Sequence, residues 1–272
     1  MSDAGPHDAG VPLDDRGLAY GDGLFETVLV RDGRPLLWDY HLARLQRGCQ
    51  ALGMAVPDTR TLAALPAEAG AGLAVLKVIL TRGSGGRGYQ PPVESEPRLR
   101  WHLSRFEPRL ERWQRGVTVR HCRLRLAEQP ALAGIKHLNR LENVLARREW
   151  TSPDIAEGLL TSVGGRLVEA TSMNVFWRRD GCWQTPRLER CGVAGTLRAA
   201  LLDRFAIDEV ELEPAALATV EAFCLGNSVQ GLWPVVALQS ASGEPLGRWA
   251  ITNEFRAMQQ EAHALLGYPA RF

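Results

Sequence analysis

Residues 132–145, LAGIKHLNRLENVL, contain the stretch on which the fold assignment depends. Lys136 follows a glycine-containing loop and stands just before a predicted helix, which we place at residues 138–150. The apolar residues on one side of that helix are Leu141, Val144 and Leu145. A lysine on its own is usually solvated, because lysines are rarely buried. Its significance therefore depends on the groups that accompany it elsewhere in the chain.

Three other stretches supply groups that suit an anionic cofactor. Glu169 lies on a predicted strand with the sequence RLVEA. Residues 192–198, GVAGTLR, form a loop that runs into a helix, and backbone N–H groups at a helix start can bind a phosphate. Arg44, on the first long helix, is a candidate phosphate partner. Taken singly, the three features are equally consistent with a strand carboxylate, a capped helix and a solvated arginine.

The composition indicates a globular protein without a strong overall field. The chain has 272 residues, of which 45% are hydrophobic, enough for one large domain or two small ones. Because 32 basic residues face 31 acidic ones, we expect neither nucleic acid nor an anionic membrane as a partner. The five cysteines are odd in number and scattered, which argues against a disulfide framework or a zinc site.

Nothing in the sequence predicts export or membrane insertion. The first ten residues, MSDAGPHDAG, lack a basic start and an apolar segment. No apolar run approaches the length of a membrane span. We therefore expect a soluble protein of the reducing cytoplasm.

The first half of the chain predicts alternating strands and helices. Residues 23–30 are a predicted strand, and residues 39–52 a helix that Asp39 caps and Gly53 ends. Residues 73–81 and 99–103 predict two further strands. The charged stretch that follows marks a boundary, so we expect an N-terminal α/β domain at 1–107, a linker at 108–116 and a cofactor-binding domain at 117–272.

The second half is richer in strands. Four strand segments follow one another between residues 159 and 185, and Asp180-Gly181 is a strong two-residue hairpin signal. Helices are predicted at residues 196–205, from Pro214 onward, and at residues 249–266. The fold class expected from this order is α/β (α+β).

Residues 83–88, GSGGRG, have the spacing of a dinucleotide fingerprint and follow a predicted strand. That motif must open a helix, whereas Tyr89-Gln90-Pro91-Pro92 follows here, so the dinucleotide interpretation fails. The alternatives are a flexible surface loop, or a loop in which Arg82 or Arg87 binds a substrate carboxylate through two parallel hydrogen bonds. No HExxH, P-loop or GxSxG sequence is present, and we expect no metal site.

Taken together, these stretches resemble the fold-type IV family of pyridoxal-phosphate (PLP) enzymes over nearly the whole chain. The markers that carry the resemblance, besides those around Lys136 and Glu169, are Asp15-Arg16-Gly17, Tyr20–Thr27 (YGDGLFET), His41–Leu45 (HLARL) and Gly195–Arg198 (GTLR). Within the family, TRGSGGRGY at residues 81–89 and LAGIKHLNRLENVL are most similar to the aminodeoxychorismate lyases. The family's architecture implies two α/β domains with the cofactor between them, in a homodimer.

The resemblance also implies roles for single residues. Lys136 would carry PLP as a Schiff base and act as the catalytic base. Glu169 would contact the pyridine nitrogen. The phosphate would be held by Arg44 and the Thr196 and Leu197 backbone amides, with Ser228 as a weaker candidate. Candidate substrate-binding residues, from loop position and family pattern, are Arg87, Tyr89 and Asn227.

The reaction implied is the conversion of 4-amino-4-deoxychorismate to 4-aminobenzoate, a folate precursor, and pyruvate. Two alternatives remain open on the sequence. One is an aminotransferase that acts on a D- or branched-chain amino acid. The other is a non-catalytic PLP-binding protein that keeps the fold and has lost the reaction.

Overall fold

The structure is a computed structural model and describes residues 10–269. The prediction for the extreme N-terminal segment therefore lies almost wholly outside the described residues. The chain forms two compact units. The first contains the residues up to Glu107 together with Ile135–Asn139, and the second contains Pro108–Gly134 and the residues from Arg140 onward. The short segment Ile135–Asn139, which includes Lys136, thus returns to the first unit.

The first unit is built on an antiparallel sheet with strand order β2-β1-β3-β4. The elements of this unit are α1 (Arg16–Tyr20), β1 (Gly23–Arg31), β2 (Arg34–Pro35), α2 (Trp38–Leu52), α3 (Thr59–Ala64), a 3₁₀ helix (Leu65–Ala69), β3 (Leu73–Thr81) and β4 (Arg98–Arg105). Leu24, Glu26, Val28 and Val30 alternate along β1 and are buried. A carboxylate thus occupies a core-facing position of an otherwise apolar strand face.

The predicted strands β1, β3 and β4 are confirmed. Gly53 ends α2 as predicted, with φ 59° and its N–H donating to the Cys49 and Gln50 carbonyls. The prediction that Asp39 caps this helix is wrong, because Leu37 occupies the cap position and Asp39 lies in the first turn. An acidic residue there still interacts favourably with the helix dipole.

The segment around Lys136 is extended and pairs with the edge of β1. The Phe25 N–H donates to the Lys136 carbonyl at 2.9 Å, and the Leu138 N–H donates to the Gly23 carbonyl at 3.0 Å. The helix predicted at residues 138–150 is therefore shorter and later than expected. It is α5 (Leu141–Arg147), because the preceding residues are used for strand pairing.

The second unit is built on a nine-stranded mixed sheet, with the order β10-β9-β8-β11-β12-β5-β6-β7 and β13 paired to β12. Its strands are β5 (Val117–Leu126), β6 (Ile155–Ser162), β7 (Leu167–Ala170), β8 (Asn174–Arg179), β9 (Cys182–Pro186), β10 (Ile207–Val210), β11 (Ala222–Asn227), β12 (Gly231–Gln239) and β13 (Pro245–Arg248). Leu159, Leu160, Phe176, Trp177 and Phe223 are fully buried core residues. The hairpin predicted at Asp180-Gly181 is confirmed, since both residues have positive φ, at 51° and 78°.

The helices of this unit are α4 (Leu110–Arg115), α5, α6 (Thr196–Leu202) and α7 (Asn253–Leu265), with 3₁₀ turns at Pro130–Leu132 and Pro214–Thr219. The predicted last helix begins later than residue 249, because the Thr252 side chain caps it by accepting from the Phe255 N–H. The predicted linker at residues 108–116 lies at the start of the second unit. It contains α4, and Trp113 is buried with its Nε1–H donating to the Gln230 carbonyl at 2.6 Å.

The mixed α/β class expected from the sequence is thus confirmed. Among residues 10–269, no helix combines the length and apolar character that crossing a membrane would require.

Candidate functional site

Lys136 lies on the first unit, beside the N-terminal part of β1. Its Nζ is 4.4 Å from the centroid of the Phe25 ring, within the range of a cation–π contact. The side chain is partly buried. Pairing of the Lys136 backbone with Phe25 fixes the position from which the amine projects.

The sequence contains only two lysines, Lys77 and Lys136, among its 32 basic residues. Lys77 is exposed on β3, with its Nζ 5.9 Å from the same Phe25 ring. The scarcity of lysine is a signal that the sequence interpretation missed. It reduces the choice of a covalent anchor for an aldehyde to two side chains and the N-terminus.

A buried charged cluster of Glu26, His41 and Arg44 occupies the same unit. The Glu26 carboxylate accepts from Arg44 Nε at 2.8 Å and from Arg44 Nη2 at 2.5 Å. It also contacts His41 Nδ1 at 2.6 Å. Burial alone would raise the pKa of Glu26, but Arg44 and His41 outweigh it and lower the pKa from 4.5 to about 2. Glu26 is therefore an anion throughout the neutral range.

His41 is held neutral in this cluster. Burial lowers its pKa, and the nearby positive charges of Arg44 and Lys136 act in the same direction, against Glu26. Because the Glu26 carboxylate can only accept, Nδ1 of the neutral ring must carry the proton that it donates.

Arg44 was predicted to be a phosphate ligand. The structure shows that its Nε and Nη2 bind Glu26 in a bidentate pair, so the guanidinium is buried and rigidly oriented. The role of Glu26 in holding it was not foreseen. A carboxylate at an alternating apolar position of β1 was the available signal.

On the second unit, Glu169 is buried on β7, and its Oε2 accepts the Val193 N–H at 2.8 Å. The Val193 carbonyl accepts in turn from Asn174 Nδ2 at 2.8 Å. Both backbone groups of Val193 are thus held by side chains. Glu169, which was predicted to contact the pyridine nitrogen, is therefore hydrogen-bonded directly to the loop that was predicted to hold the phosphate.

Two glycines allow the loop before α6 to pack closely against Val168 and Asn174. Gly192 has φ 86°, and a Cβ there would lie 2.7 Å from Val168 Cγ1. A Cβ on Gly195 would lie 1.9 Å from Asn174 Oδ1. Any side chain at Gly195 would displace Asn174, so the loop before α6 depends on glycine at that position.

Thr196 and Leu197 begin α6 and are buried, and Gly195 gives this helix start no side-chain cap. Backbone N–H groups of a first helical turn have no acceptor within the helix, which suits an anion. Ser228 is buried in the turn between β11 and β12. The structure therefore places the predicted phosphate residues of this unit on two turns, one before α6 and one after β11.

Of the three predicted substrate residues, Arg87 and Tyr89 are exposed on the loop between β3 and β4. Asn227 instead closes a turn, since its Oδ1 accepts from the Val229 and Gln230 N–H groups at 3.0 and 2.7 Å. Arg82 does not suit a substrate carboxylate. All three of its guanidinium nitrogens donate to Asp22 or to the carbonyls of Leu52 and Gly53.

A second buried carboxyl, Glu157 on β6, was not singled out from the sequence. It accepts hydrogen bonds from the hydroxyls of Thr171 and Ser172, in the turn that follows Glu169. Burial raises the pKa of Glu157, and these hydroxyls oppose that shift without reversing it. Glu157 therefore holds the turn that joins β7 to β8.

Among the described residues, no group of three or more His, Cys, Asp or Glu side chains could hold a metal ion. Cys49, Cys122, Cys182, Cys191 and Cys224 are free thiols. Burial raises the pKa of the Cys191 thiol to about 12, and the charge of Glu169 adds to the effect. Cys191 is consequently a poor nucleophile.

The Amino-transferase class IV family model matches residues 23–238. The aminodeoxychorismate lyase of Vibrio harveyi is 32% identical over 249 residues, covering 88% of this chain and 92% of that protein. The aminodeoxychorismate lyase of Bacillus subtilis is 26% identical, covering 85% and 84%.

Among solved structures, the 4-amino-4-deoxychorismate lyase of Pseudomonas aeruginosa is 45% identical and superposes with a TM-score of 0.86. The match covers 94% of this chain and 95% of that one. The family match covers more than half of the chain and includes Lys136, Glu169 and the loop before α6. The chain belongs to the class IV amino-transferase family.

Proposed function

We propose that the protein is a PLP-dependent lyase that converts 4-amino-4-deoxychorismate to 4-aminobenzoate and pyruvate. The observation that carries the proposal is the position of Lys136, whose backbone pairs with Phe25 of β1 and whose amine lies over the Phe25 ring. The similarity to lyases from Pseudomonas aeruginosa and Vibrio harveyi supports this activity over amino transfer.

The residues present fit PLP. Lys136 would bind its aldehyde carbon covalently, and Glu169 would face the pyridine nitrogen. Arg44, the Thr196 and Leu197 amides and the Ser228 hydroxyl would hold the phosphate. Bound in this way, the cofactor supplies an electron sink for the pair of electrons left when a proton is removed from the substrate.

Side chains of the protein would carry out the remaining steps. A buried carboxylate at Glu169, oriented by the Val193 N–H, favours a protonated ring nitrogen through a charge-assisted hydrogen bond. The Lys136 amine would take the proton from the carbon that bears the amino group of the substrate. The ring would become aromatic as the enolpyruvyl group leaves, and a proton would be added to the methylene carbon of that group to give pyruvate. The two products contain all the atoms of the substrate, so no co-reactant is needed.

Arg87 and Tyr89 would contact the carboxylate-bearing substrate, because both are exposed on a loop of the first unit. An arginine suits a carboxylate through its two parallel N–H groups. Asn227 would act mainly by shaping its turn, given the two backbone N–H groups that it accepts.

One assay separates the lyase from its alternatives. The purified protein with PLP and aminodeoxychorismate should form 4-aminobenzoate without any keto acid. Lys136→Ala should abolish product, whereas Lys77→Ala, which removes the chain's other lysine, should leave turnover intact. Amino transfer that depends on a keto acid, with no 4-aminobenzoate, would establish the aminotransferase. Bound PLP without either reaction would indicate a non-catalytic protein.

We also propose that the protein is a cytoplasmic homodimer. The apolar side of α5 supports a second copy, since Leu141, Val144 and Leu145 are 68%, 53% and 43% exposed. The free thiols are consistent with a reducing compartment. Light scattering should give twice the 30.0 kDa chain mass, and Leu141→Glu should shift the protein toward that single mass.

A further inference from the structure

The glycine-rich loop between β3 and β4 is wrapped around one buried guanidinium. Arg16 is 4% exposed. Its Nη1 donates to the carbonyls of Gly85, Gly88 and Gln90 at 3.4, 2.9 and 3.3 Å. Its Nη2 donates to the Tyr89 carbonyl at 3.0 Å. Four carbonyls of a six-residue stretch thus point inward at a single side chain.

The backbone conformation of the loop requires this inward arrangement. Gly85, Gly86 and Gly88 all have positive φ, at 108°, 80° and 57°. A Cβ on Gly86 would lie 2.3 Å from the Gln90 carbonyl oxygen and 3.1 Å from Arg16 Nη1. Glycine therefore lets the chain curl closely around the cation.

With the carbonyls facing Arg16, the side chains of the loop face outward. Arg87 is exposed, and Tyr89 is 87% exposed. The Tyr89 ring lies 5.4 Å from the Tyr20 ring, and the Arg16 guanidinium lies 5.0 Å from Tyr20. Arg16 thus binds the Tyr89 backbone, and Tyr20 contacts the Tyr89 ring.

We propose that Arg16 is a positioning residue that fixes the loop of residues 83–90 in its substrate-binding shape, and so determines substrate affinity more than the chemical step. The inference rests on the proposed function, in which Arg87 and Tyr89 contact the substrate. A loop held in shape before binding loses less conformational entropy when the substrate arrives. Releasing the loop should therefore weaken binding.

Arg82 provides a matched control in the same unit. Both arginines are buried and form an ion pair with Asp22, Arg16 at 3.0 Å and Arg82 at 2.7 Å. Arg82 donates to the carbonyls of Leu52 and Gly53 at the end of α2 instead of to the loop. Lysine in either position keeps the charge but lacks the planar fork of N–H groups.

The test compares Arg16→Lys with Arg82→Lys in the PLP-loaded protein. Arg16→Lys should raise KM for aminodeoxychorismate about tenfold or more with kcat changed by less than about threefold, since an interaction that aids binding alone is lost. Arg82→Lys should leave KM unchanged even if it lowers the melting temperature equally. A fall in kcat at constant KM for Arg16→Lys would overturn the proposal, as would equal KM effects from both variants.

A second measurement needs no turnover. Trypsin should cut after Arg87 at least about fivefold faster in Arg16→Lys than in the wild type or Arg82→Lys, because opening of the loop exposes the bond. Unchanged cleavage there would overturn the proposal even if the wild type proved to have no lyase activity. Absence of 4-aminobenzoate from the wild type, by contrast, would overturn the proposed function.

If Arg16→Lys does not fold, Tyr20→Leu provides the same comparison. Tyr20 is 41% exposed, so its replacement leaves the buried ion pairs in place. It should raise KM by a smaller factor, about threefold, because only the support of Tyr89 is removed. An unchanged KM in this variant would count against a positioned loop.

Discussion

Glu26 in the first unit and Glu157 in the second are buried to nearly the same extent, with 4% and 6% exposed, yet they have opposite electrostatic character. Glu26 accepts from the Arg44 guanidinium and contacts the His41 ring. Glu157 accepts from two hydroxyls. The pKa of Glu26 falls to about 2, whereas that of Glu157 rises.

The difference shows that the partners of a buried carboxyl, more than its burial, decide the direction in which its pKa shifts. A guanidinium compensates the lost hydration of an anion, and hydroxyl groups do so only in part. Glu26 can therefore hold the Arg44 guanidinium in one orientation. Glu157 accepts two hydrogen bonds from the turn after Glu169 and so holds that turn in place.

The largest effect should come from Glu26→Ala, which leaves the Arg44 charge buried without its carboxylate. We expect a loss of about 3–5 kcal/mol in the free energy of unfolding at pH 7, as for other broken buried pairs. Urea denaturation measures this. The double variant Glu26→Leu/Arg44→Met is the control, because it removes both charges and should recover much of the loss. A loss below about 1 kcal/mol for Glu26→Ala would contradict the cluster's role.

The next effect is a pH dependence of stability from Glu26. Its folded pKa, about 2, lies below its unfolded value of 4.5. The stabilisation is therefore fully present above pH 4.5 and is lost as the pH falls from 4.5 toward 2. At about 1.4 kcal/mol per pKa unit, the contribution is on the order of 3 kcal/mol. The stability difference between the wild type and Glu26→Gln should shrink over that window, and a constant difference down to pH 3 would disprove the assignment.

Glu157→Ala should have a smaller effect, about 1–3 kcal/mol, because two hydroxyls lose their buried acceptor but no charge loses its partner. Thermal and urea unfolding at pH 7 give the value. Ser162→Ala on the same strand is a matched control, since the Ser162 hydroxyl accepts from the Gly164 N–H at the other end of β6. An effect of Glu157→Ala equal to that of Glu26→Ala would remove the distinction between the two carboxyls.

Glu157→Gln should have the smallest effect, within about 1 kcal/mol at pH 5, since an amide can still bond to both hydroxyls. The raised pKa of Glu157 means that its favourable neutral form is present below pH 4.5 and is lost as the pH rises through the folded pKa. The variant should therefore gain stability relative to the wild type as the pH rises from 5 to 9. A relative loss over that range would show that the ionised form is the stable one.

Local patterns predicted the strands of the first unit and the Asp180-Gly181 hairpin, because alternation and turn chemistry are encoded in adjacent residues. The helix predicted to begin at residue 138 begins instead at Leu141, because residues 136–138 pair with β1. A local pattern cannot reveal a pairing partner that is distant in the sequence. The buried side of α2 includes His41 and Arg44, so an apolar pattern could not identify it. Their partner Glu26 belongs to the stretch YGDGLFET that carries the family resemblance, but no role was predicted for it, because its partners lie on a different element.

The family resemblance, by contrast, singled out Lys136 and Glu169 through residue order rather than through physical derivation. The structure adds the contacts that orient Glu169 and Arg44. It also gives the glycine-rich loop an internal partner, Arg16, that no spacing rule would have indicated.

The most direct test of the account is borohydride reduction of the PLP-loaded protein, followed by peptide mass mapping. Because the chain has only two lysines, the result is unambiguous. We predict a pyridoxyl group on Lys136 in the wild type and in Lys77→Arg, and none in Lys136→Ala. A pyridoxyl group on Lys77, or no lysine adduct at all, would contradict the central claim that Lys136 binds the cofactor.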